Sequence, residues 1–272
     1  MPTKAAPEFG LRRLDWDTAF FGATMGVITL LSDATPREPE ARAVAFEQAL
    51  RRVLGEAKQA GYAHVIFRVP AGDLAPAWAA ERAGLRLVDI GLDSSIDLGG
   101  AALPPAAASA TVRPAAENDL PALQELAAGA FVLSRFSADP FFSAAQVAAF
   151  HRQWMTNLYR GLADAVLVCE VEGQLAGFVS CAVSNGEGRI PLIATDPSFR
   201  RRGVGRALLG AALRWFAGAG ASVVHVKTQA HNYPALALYH RAGFTVTKTE
   251  LTFSAMLAPA PAARPHAAIH TG

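Results

Sequence analysis

The segment RRRGVGRALL, residues 200–209, lies between a predicted strand at Arg189–Thr195 and a predicted helix whose apolar face begins at Val204. Backbone N–H groups at the start of a helix have no intrahelical partners, and the helix dipole there favours an anion. Gly203 and Gly205 lack the Cβ atoms that would keep a pyrophosphate away from the backbone, and the preceding arginines supply positive charge. The pattern predicts a diphosphate site, and a packing turn of the same composition is the alternative.

A second motif, NYPALALYHRAGF at residues 232–244, follows another predicted strand and holds Tyr239 at a fixed distance from Asn232 and Gly243. A phenol has an unperturbed pKa of about 10, so it stays protonated at neutral pH and can donate a proton to a leaving thiolate. A tyrosine on an amphipathic helix also commonly packs its ring on a sheet, and that structural role is the alternative. The fixed register to Asn232 and Gly243 favours catalysis.

Together the two motifs resemble the GNAT acetyltransferase family, whose acetyl-CoA motif is Arg/Gln-x-x-Gly-x-Gly/Ala. The next segment of that family is often Asn-x-x-Ala-x-x-x-Tyr-x-x-x-Gly-Phe, and this chain contains both patterns without gaps. The first motif is not a P-loop, because no Lys-Ser/Thr pair follows its last glycine, and it does not match GxGxxG. The resemblance implies an α/β (α+β) GNAT fold, with a mixed twisted sheet flanked by helices, and an acetyl-CoA-dependent N-acetyltransferase.

The resemblance also implies roles for the residues of both motifs. The end of the predicted strand would pair with the pantetheine arm, the helix start would hold the pyrophosphate, and Asn232 would bond to the CoA arm. Tyr239 would face the CoA sulfur as the catalytic residue, and no metal is implied. The acetyl-CoA-binding residues implied in this way are Ile193, Ala194, Thr195, Arg200, Arg201, Arg202, Gly203, Val204, Gly205, Arg206 and Asn232.

A third motif, Ser134-Arg135-Phe136 followed by Asp139-Pro140, lies between the first two predicted helices of the C-terminal region. With LDWD at residues 14–17 and FFG at 20–22, it is similar to the TDP-fucosamine acetyltransferase group. Enzymes of that group acetylate the 4-amino group of a TDP-linked 4-amino-4,6-dideoxyhexose. The resemblance implies that Ser134, Arg135 and Phe136 bind the acceptor, with Arg135 on a diphosphate and Phe136 stacked on a base or sugar. The alternative, that Arg135 is a solvated loop charge and Phe136 is a core residue, is equally open.

The chain departs from that group at Leu238, where a basic residue is expected just before the tyrosine. The arginines at 200–202 are the candidates to supply the missing charge. Other acceptors stay open, namely an antibiotic, a polyamine or a protein N-terminus, although no acidic run favours a peptide. No general base is assigned to His151, His231 or His240, because a lone histidine is more often a structural or surface residue.

The composition limits the partners and the location of the protein. Of its 272 residues 51% are hydrophobic, and its net charge of +2 is too small to predict nucleic-acid binding. Cys169 and Cys181 fall in predicted strands, which favours inert core thiols and a reducing cytoplasmic compartment. The stretch Ala19–Leu31 is too short and too interrupted to span a membrane, and no targeting segment is recognised. The expected partner is a small-molecule amine, such as a sugar nucleotide, and a homodimer is compatible with these features.

Changes in composition divide the chain into an N-terminal α/β domain (1–98), a Gly/Pro/Ala-rich linker (99–110), the GNAT domain (111–256) and a disordered tail (257–272). The segments that begin at His64 and His225 both run strand, helix, Arg-Ala-Gly, strand. This is either an internal repeat or a common structural unit. A repeat would make the N-terminal domain a non-catalytic, half-GNAT-like copy, because it lacks the glycine-rich turn and has Ala80 where the other copy has Tyr239.

Local patterns predict further elements. Ser143 and Gln146 form a capping-box pattern at the start of a helix. Strands at Ala165–Val171 and Leu175–Val183 flank a tight turn at residues 172–173. Two strands are predicted after the helix that carries Tyr239.

Overall fold

The computed structural model describes residues 6–99 and 111–259 of the chain. Its strands are β1 (Glu8–Arg13), β2 (Met25–Ser32), β3 (His64–Pro70), β4 (Arg86–Asp97), β5 (Thr111–Pro114), β6 (Ala165–Val171), β7 (Gln174–Ser184), β8 (Glu187–Ile190), β9 (Ile193–Thr195), β10 (Val223–Gln229) and β11 (Thr245–Met256). Its α-helices are α1 (Asp15–Phe21), α2 (Pro39–Gln59), α3 (Leu74–Arg82), α4 (Leu120–Ala130), α5 (Arg135–Ala138), α6 (Ala144–Asn157), α7 (Val204–Gly218) and α8 (Tyr233–Arg241). The expected α/β class is confirmed, and the expected linker and tail fall almost entirely outside the described residues.

The described chain forms two compact units that alternate along the sequence. The first unit contains the residues up to Gly91, Ser134–Gln146 and the residues from Thr249 onward, and the second contains Leu92–Leu133 and Val147–Lys248. This division differs from the consecutive domains expected from composition. The reason is that β4 and β11 each contribute residues to both units, and that the segment around α5 packs with the N-terminal residues.

In the first unit the strands lie in the order β1-β2-β3-β11. β1 is antiparallel to β2, β2 is parallel to β3, and β3 is antiparallel to β11. Helix α2 begins where the Glu38 side chain accepts hydrogen bonds from two amides of the first turn. Phe46, Phe67 and Phe253 are fully buried in the core of this unit. Each such aromatic side chain contributes about 2–3 kcal/mol through the apolar area removed from water.

In the second unit the strands lie in the order β11-β4-β10-β8-β7-β6-β5, with β9 paired to β7. Helix α7 packs closely on β7, because a Cβ atom at Gly177 would lie 2.5 Å from the Ala194 carbonyl oxygen and 3.0 Å from the Val204 side chain. The predicted apolar face of this helix is confirmed at Val204, Leu208 and Ala212, which are buried in the core. None of the described helices is both long and apolar enough to cross a membrane.

Several local predictions are confirmed and two are wrong. Ser143 and Gln146 form the expected capping box, with the Ser143 amide donating to Gln146 Oε1 at 2.9 Å. The predicted strand at Arg189–Thr195 is wrong as one element. Pro191 has no N–H, and although β8 and β9 both pair with β7, only β8 also pairs with β10. The two strands predicted at the end of the domain are one continuous strand, β11.

The segments β3-α3-β4 and β10-α8-β11 match element by element. His64 corresponds to Val223, Leu74 to Tyr233 and Arg86 to Thr245, so each bound of the second segment lies 159 residues after its counterpart. Both helices have nine residues and are followed by Ala-Gly with the glycine at positive φ. Identical element lengths favour an internal repeat over a coincidence of common units. We call these segments the N-terminal copy and the C-terminal copy.

Candidate functional site

The glycine-rich turn before α7 is exposed and lacks a side-chain cap. Arg201 and Gly203 both have left-handed backbone conformations, with φ of 62° and 83°, and Gly203 is the N-cap residue of the helix. No side chain bonds to the first amides of α7 from the N-cap position. The amides of residues 203–206 therefore have no intrahelical acceptor, and they form a concentration of N–H donors at the positive end of the helix dipole.

The sheet separates beside this turn. Over four residue pairs β8 is hydrogen-bonded in parallel to β10, from Glu187 with Val223 to Ile190 with Val226. After Pro191 the chain continues as β9, which pairs with β7. β9 uses only one of its two edges to pair with β7. Its other edge lies on the side where the preceding strand, β8, is bonded to β10.

The direction of the backbone groups on β9 follows from the register of its hydrogen bonds with β7. The Leu192 carbonyl accepts from β7 and the Asp196 amide donates to β7, both at 2.9 Å. Because alternate residues of an antiparallel strand bond to the same side, Ala194 also directs its backbone groups to β7. The backbone groups of Ile193 and Thr195 point to the opposite side. Of the three residues predicted to pair with a ligand, these two have backbone groups on the unpaired edge.

Gly205 is the point where the turn, β9 and α8 meet. A Cβ atom built on Gly205 would lie 3.4 Å from Leu238 Cδ2 and 3.6 Å from Thr195 Oγ1. Leu238 directly precedes Tyr239 on α8. The structure therefore brings the end of the predicted CoA strand, the predicted pyrophosphate turn and the helix of the predicted catalytic residue close together.

Tyr239 is buried, with 4% of its surface exposed, and its ring centroid lies 5.6 Å from that of Phe244. Burial raises the pKa of the Tyr239 phenol above its usual value, so the group stays protonated well beyond neutral pH. A cavity of about 370 Å³ adjoins it. The residues that line this cavity are Leu92, Ser94, Leu236, Tyr239, His240, Phe244, Thr245 and Val246.

Asn232 is the N-cap residue of α8. Its Oδ1 accepts a hydrogen bond from the Ala235 amide at 3.4 Å, and its Nδ2 donates to Thr228 Oγ1 at 3.1 Å. The asparagine in the family pattern thus has a local structural reason, because it orders the start of α8. Its contact with a CoA arm stays a prediction.

The arginines around the turn differ in their surroundings. Arg202 Nη2 lies 2.6 Å from Glu172 Oε1, and the Arg202 guanidinium lies 5.4 Å from the Phe199 ring centroid. Both members of that ion pair are largely exposed, so the pair constrains the arginine only weakly. Arg200, Arg201 and Arg206 are exposed as well, and they surround the helix start with positive charge.

The third motif lies in the first unit. Arg135 is 17% exposed, with Nη2 3.5 Å from Asp17 Oδ1, and burial lowers its pKa to about 10. Its guanidinium lies 3.8 Å from the centroid of the Phe136 ring, which is itself buried. Ser134 is the N-cap residue of α5. The alternative that Arg135 is a solvated loop charge is therefore wrong, and the alternative that Phe136 is a core residue is confirmed. The binding roles of all three residues stay predictions.

A buried polar pair in the first unit was not found from the sequence. His64 Nε2 lies 2.8 Å from Asp139 Oδ2, and the two side chains are 0% and 2% exposed. Asp139 was noted only as part of the third motif, and no sequence signal connects it to a histidine 75 residues away. Among the described residues, no group of three or more His, Cys, Asp or Glu side chains is placed to hold a metal ion.

The chain is similar in sequence and in fold to known acetyltransferases. The family model described as the acetyltransferase (GNAT) family matches residues 130–244. A dTDP-fucosamine acetyltransferase of Escherichia coli O6:H1 is 29% identical over 252 residues, which cover 92% of this chain and 97% of that protein. A GCN5-related N-acetyltransferase from Sphaerobacter thermophilus is similar in structure, with a TM-score of 0.63 and 17% identity over 94% of this chain and 78% of its own. A tandem GNAT protein from the clavulanic acid biosynthesis pathway has a TM-score of 0.57 and 18% identity over 88% and 77%. These two structural likenesses establish the fold.

Proposed function

Because the chain contains a GNAT acetyltransferase domain and is an acyl-transfer enzyme, we propose that it moves an acetyl group from acetyl-CoA to the amine of a nucleotide-linked amino sugar. The acceptor is of the 4-amino-4,6-dideoxyhexose type. The observation that carries this proposal is the similarity to a dTDP-fucosamine acetyltransferase, which extends over 92% of this chain. A match of that extent includes both units and not only the acetyl-CoA motifs.

The donor side of the proposal rests on the separated sheet and the uncapped helix. The backbone groups of Ile193 and Thr195 have the direction that an added extended ligand such as the pantetheine arm requires. The amides at the start of α7 and the exposed arginines suit a pyrophosphate. A side chain at Gly205 would meet the protein only at ordinary contact distances. The advantage of glycine at this position is therefore room for the ligand.

Tyr239 provides the acid. Attack of an amine on a thioester expels a thiolate, and a proton donor beside the sulfur makes that group leave more readily. The raised pKa of Tyr239 keeps its proton available over the whole neutral range. Leu238, the residue before Tyr239, and Thr195 both lie near the Cβ position of Gly205, which supports a thioester next to this phenol.

The acceptor-binding role of Ser134, Arg135 and Phe136 is proposed on the similarity of the third motif alone. The Arg135–Asp17 distance of 3.5 Å is long for a charge-assisted hydrogen bond, so the guanidinium keeps donor capacity for an anionic ligand. Phe136 would act through its packing under Arg135. A cytoplasmic location and a homodimer stay predictions from the sequence.

The test is a transfer assay with the purified full-length chain. Acetyl-CoA and TDP-4-amino-4,6-dideoxygalactose should release one equivalent of free thiol per acetylated sugar, measured with a thiol reagent and by mass spectrometry. The matched control is the TDP-sugar with a hydroxyl group in place of the amine, which should release no thiol. An aminoglycoside, a polyamine and a peptide N-terminus complete the panel.

Turnover on one of those other amines, without turnover on the sugar nucleotide, would remove the proposed acceptor and leave the acyltransferase intact. Turnover on none of them, by a folded protein that binds acetyl-CoA, would contradict catalysis by this site.

A further inference from the structure

The cavity beside Tyr239 lies within the second unit, between α8 and the strands β4 and β11. We propose that this cavity receives the amine-bearing ring of the acceptor, and that His240 accepts the proton that the amine loses. The identity of that amine rests on the proposed function, whereas the positions of the cavity and of the histidine are given by the structure.

One wall of the cavity is a single face of α8. Leu236, Tyr239 and His240 stand at positions i, i+3 and i+4 of the helix, so their side chains are neighbours on that face. The phenol that protonates the leaving thiolate and an imidazole therefore border the same space. The reaction needs an acid that protonates the leaving thiolate and a base that deprotonates the attacking amine. Both must reach the same reacting centre.

The opposite wall suits a deoxy sugar. It consists of Leu92 and Ser94 from β4 and of Thr245 and Val246 at the start of β11, next to Phe244. Apolar side chains with a few hydroxyl groups match a ring that has a methyl substituent, C–H faces and some hydroxyls. The volume of about 370 Å³ falls in the range of about 300–1,000 Å³ that is usual for small-molecule pockets.

His240 is the residue of this cavity that can serve as a base near neutral pH. Among the lining residues only Tyr239 and His240 have ionisable side chains, and imidazole is the side chain that most often acts as a general base in enzymes. His151 is unsuited, because it is buried and its Nδ1 lies 2.9 Å from the Val147 carbonyl oxygen. His231 is exposed and does not line the cavity.

The charged residues next in sequence to the lining residues lie on three elements. On β4, Asp93 lies 3.9 Å from Lys227 of β10, so its charge is partly compensated. On β11 the nearest cation in sequence is Lys248, and on α8 it is Arg241. The side chains that line the cavity from β4 and β11 do not titrate. None of those lining side chains from β4 and β11 can therefore take the place of His240 as the base.

The proposed step balances in atoms and charge. The amine nitrogen forms a bond to the thioester carbonyl carbon, the carbon–sulfur bond breaks, and the Tyr239 hydroxyl proton goes to the sulfur. The nitrogen loses one proton to His240. Return of that proton to the tyrosinate through solvent restores both residues, and the products are the amide and the free thiol of CoA.

Replacement of the imidazole tests its role as a base. In His240→Gln, kcat/KM for the amine should fall by about 10²-fold or more, with the KM for acetyl-CoA little changed. On the acid side, kcat/KM of wild type should fall more steeply than that of the variant, which keeps only the ionisation of the amine itself. In His240→Ala, added imidazole should restore a large part of the lost rate, which a purely structural residue would not show. His231→Ala is the matched control and should behave as wild type.

Narrowing of the cavity tests its role as the acceptor site. Val246 is 55% exposed on an edge of the cavity, so Val246→Trp can be tolerated by the fold while it fills space. The KM for the acceptor should rise at least about 10-fold with the KM for acetyl-CoA unchanged. Thermal unfolding and acetyl-CoA binding of each variant verify that it is folded.

The outcomes separate the two proposals. If wild type acetylates the amino sugar but imidazole rescues nothing and Val246→Trp leaves the acceptor KM unchanged, this inference is overturned and the proposed function stands. If wild type acetylates a different amine of the panel, the proposed acceptor is wrong. The same variants measured with that amine then decide the inference independently.

Discussion

The two copies of the strand–helix–strand unit have the same backbone plan and different chemistry. Helices α3 and α8 each have nine residues, and both end in Ala-Gly with the glycine at positive φ. Yet the position of Tyr239 on α8 is taken by the fully buried Ala80 on α3. The N-cap residue of α8, Asn232, bonds to its own helix, whereas its counterpart Asp73 makes no cap bond and pairs with Arg42 instead.

This difference indicates that the unit is a structural element, and the proposed function requires only a few added residues in the C-terminal copy. Gly84 and Gly243 are retained in both copies because the left-handed turn requires them. The phenol occurs only in the C-terminal copy, which follows the glycine-rich turn. The N-terminal copy instead has a buried polar pair, His64 with Asp139, where the C-terminal copy has Val223. Fold and catalysis can therefore be perturbed separately.

The largest expected effect is on catalysis in the C-terminal copy. Tyr239→Phe should lower kcat by about 10²–10³-fold with little change in the KM for acetyl-CoA, because the hydroxyl acts mainly as charge develops on the sulfur. Steady-state kinetics with varied acetyl-CoA measure both constants. The counterpart Ala80→Ser should leave kcat within about twofold. An unchanged kcat in Tyr239→Phe would mean that both copies are structural.

The second prediction concerns stability of the N-terminal copy. His64→Val, which introduces the residue of the other copy, should lower the free energy of unfolding by about 3 kcal/mol, because it leaves the buried Asp139 carboxylate without its imidazole partner. Val223→Ala, at the half-buried counterpart, should cost about 1 kcal/mol. Chemical denaturation gives both values, and similar values for the two variants would contradict a stabilising role of the pair.

The pH dependence of this pair has a definite sign. Burial alone would raise the pKa of Asp139, but the hydrogen bond and charge of His64, with further bonds, lower it overall. The stability that comes from ionised Asp139 is therefore present above the unfolded pKa of about 3.9 and is lost as the pH falls through the folded value. In His64→Val, the free energy of unfolding should therefore change less with pH on the acid side.

The third prediction separates charge from fold at the glycine-rich turn. Arg201→Ala with Arg202→Ala should raise the KM for acetyl-CoA by about 10-fold, and the ratio to wild type should be larger at low ionic strength. Arg82→Ala in the N-terminal copy removes an exposed cation that pairs with Glu40, and it should not affect this KM. If the double variant and Arg82→Ala changed the KM for acetyl-CoA equally at all salt concentrations, a specific role of the turn would be excluded.

The sequence predicted what depends on local register and missed what depends on distant contacts. Tyr239 and the turn before α7 could be placed because fixed spacings and helix-start signals are local properties. The break between β8 and β9 was missed, because a single Pro191 in an apolar run is compatible with a strand until its neighbours are known. The His64–Asp139 pair and the segment around α5 in the first unit required tertiary structure, since neither has a periodic pattern.

The smallest expected effect distinguishes the two helix ends. Both glycines have left-handed conformations, with φ of 86° at Gly84 and 95° at Gly243, so alanine at either position is strained by about 1 kcal/mol. A Cβ atom at Gly243 would also lie 3.3 Å from Ile96 Cδ1, whereas at Gly84 nothing lies within 4 Å. Gly243→Ala should therefore destabilise the protein by about 1 kcal/mol more than Gly84→Ala, as measured by denaturant midpoints. Because Gly243 also ends the helix that carries Tyr239, its variant should lower kcat detectably, and the Gly84 variant should not. An equal loss of stability and of activity at both positions would mean that the end of α8 has no role that the end of α3 lacks.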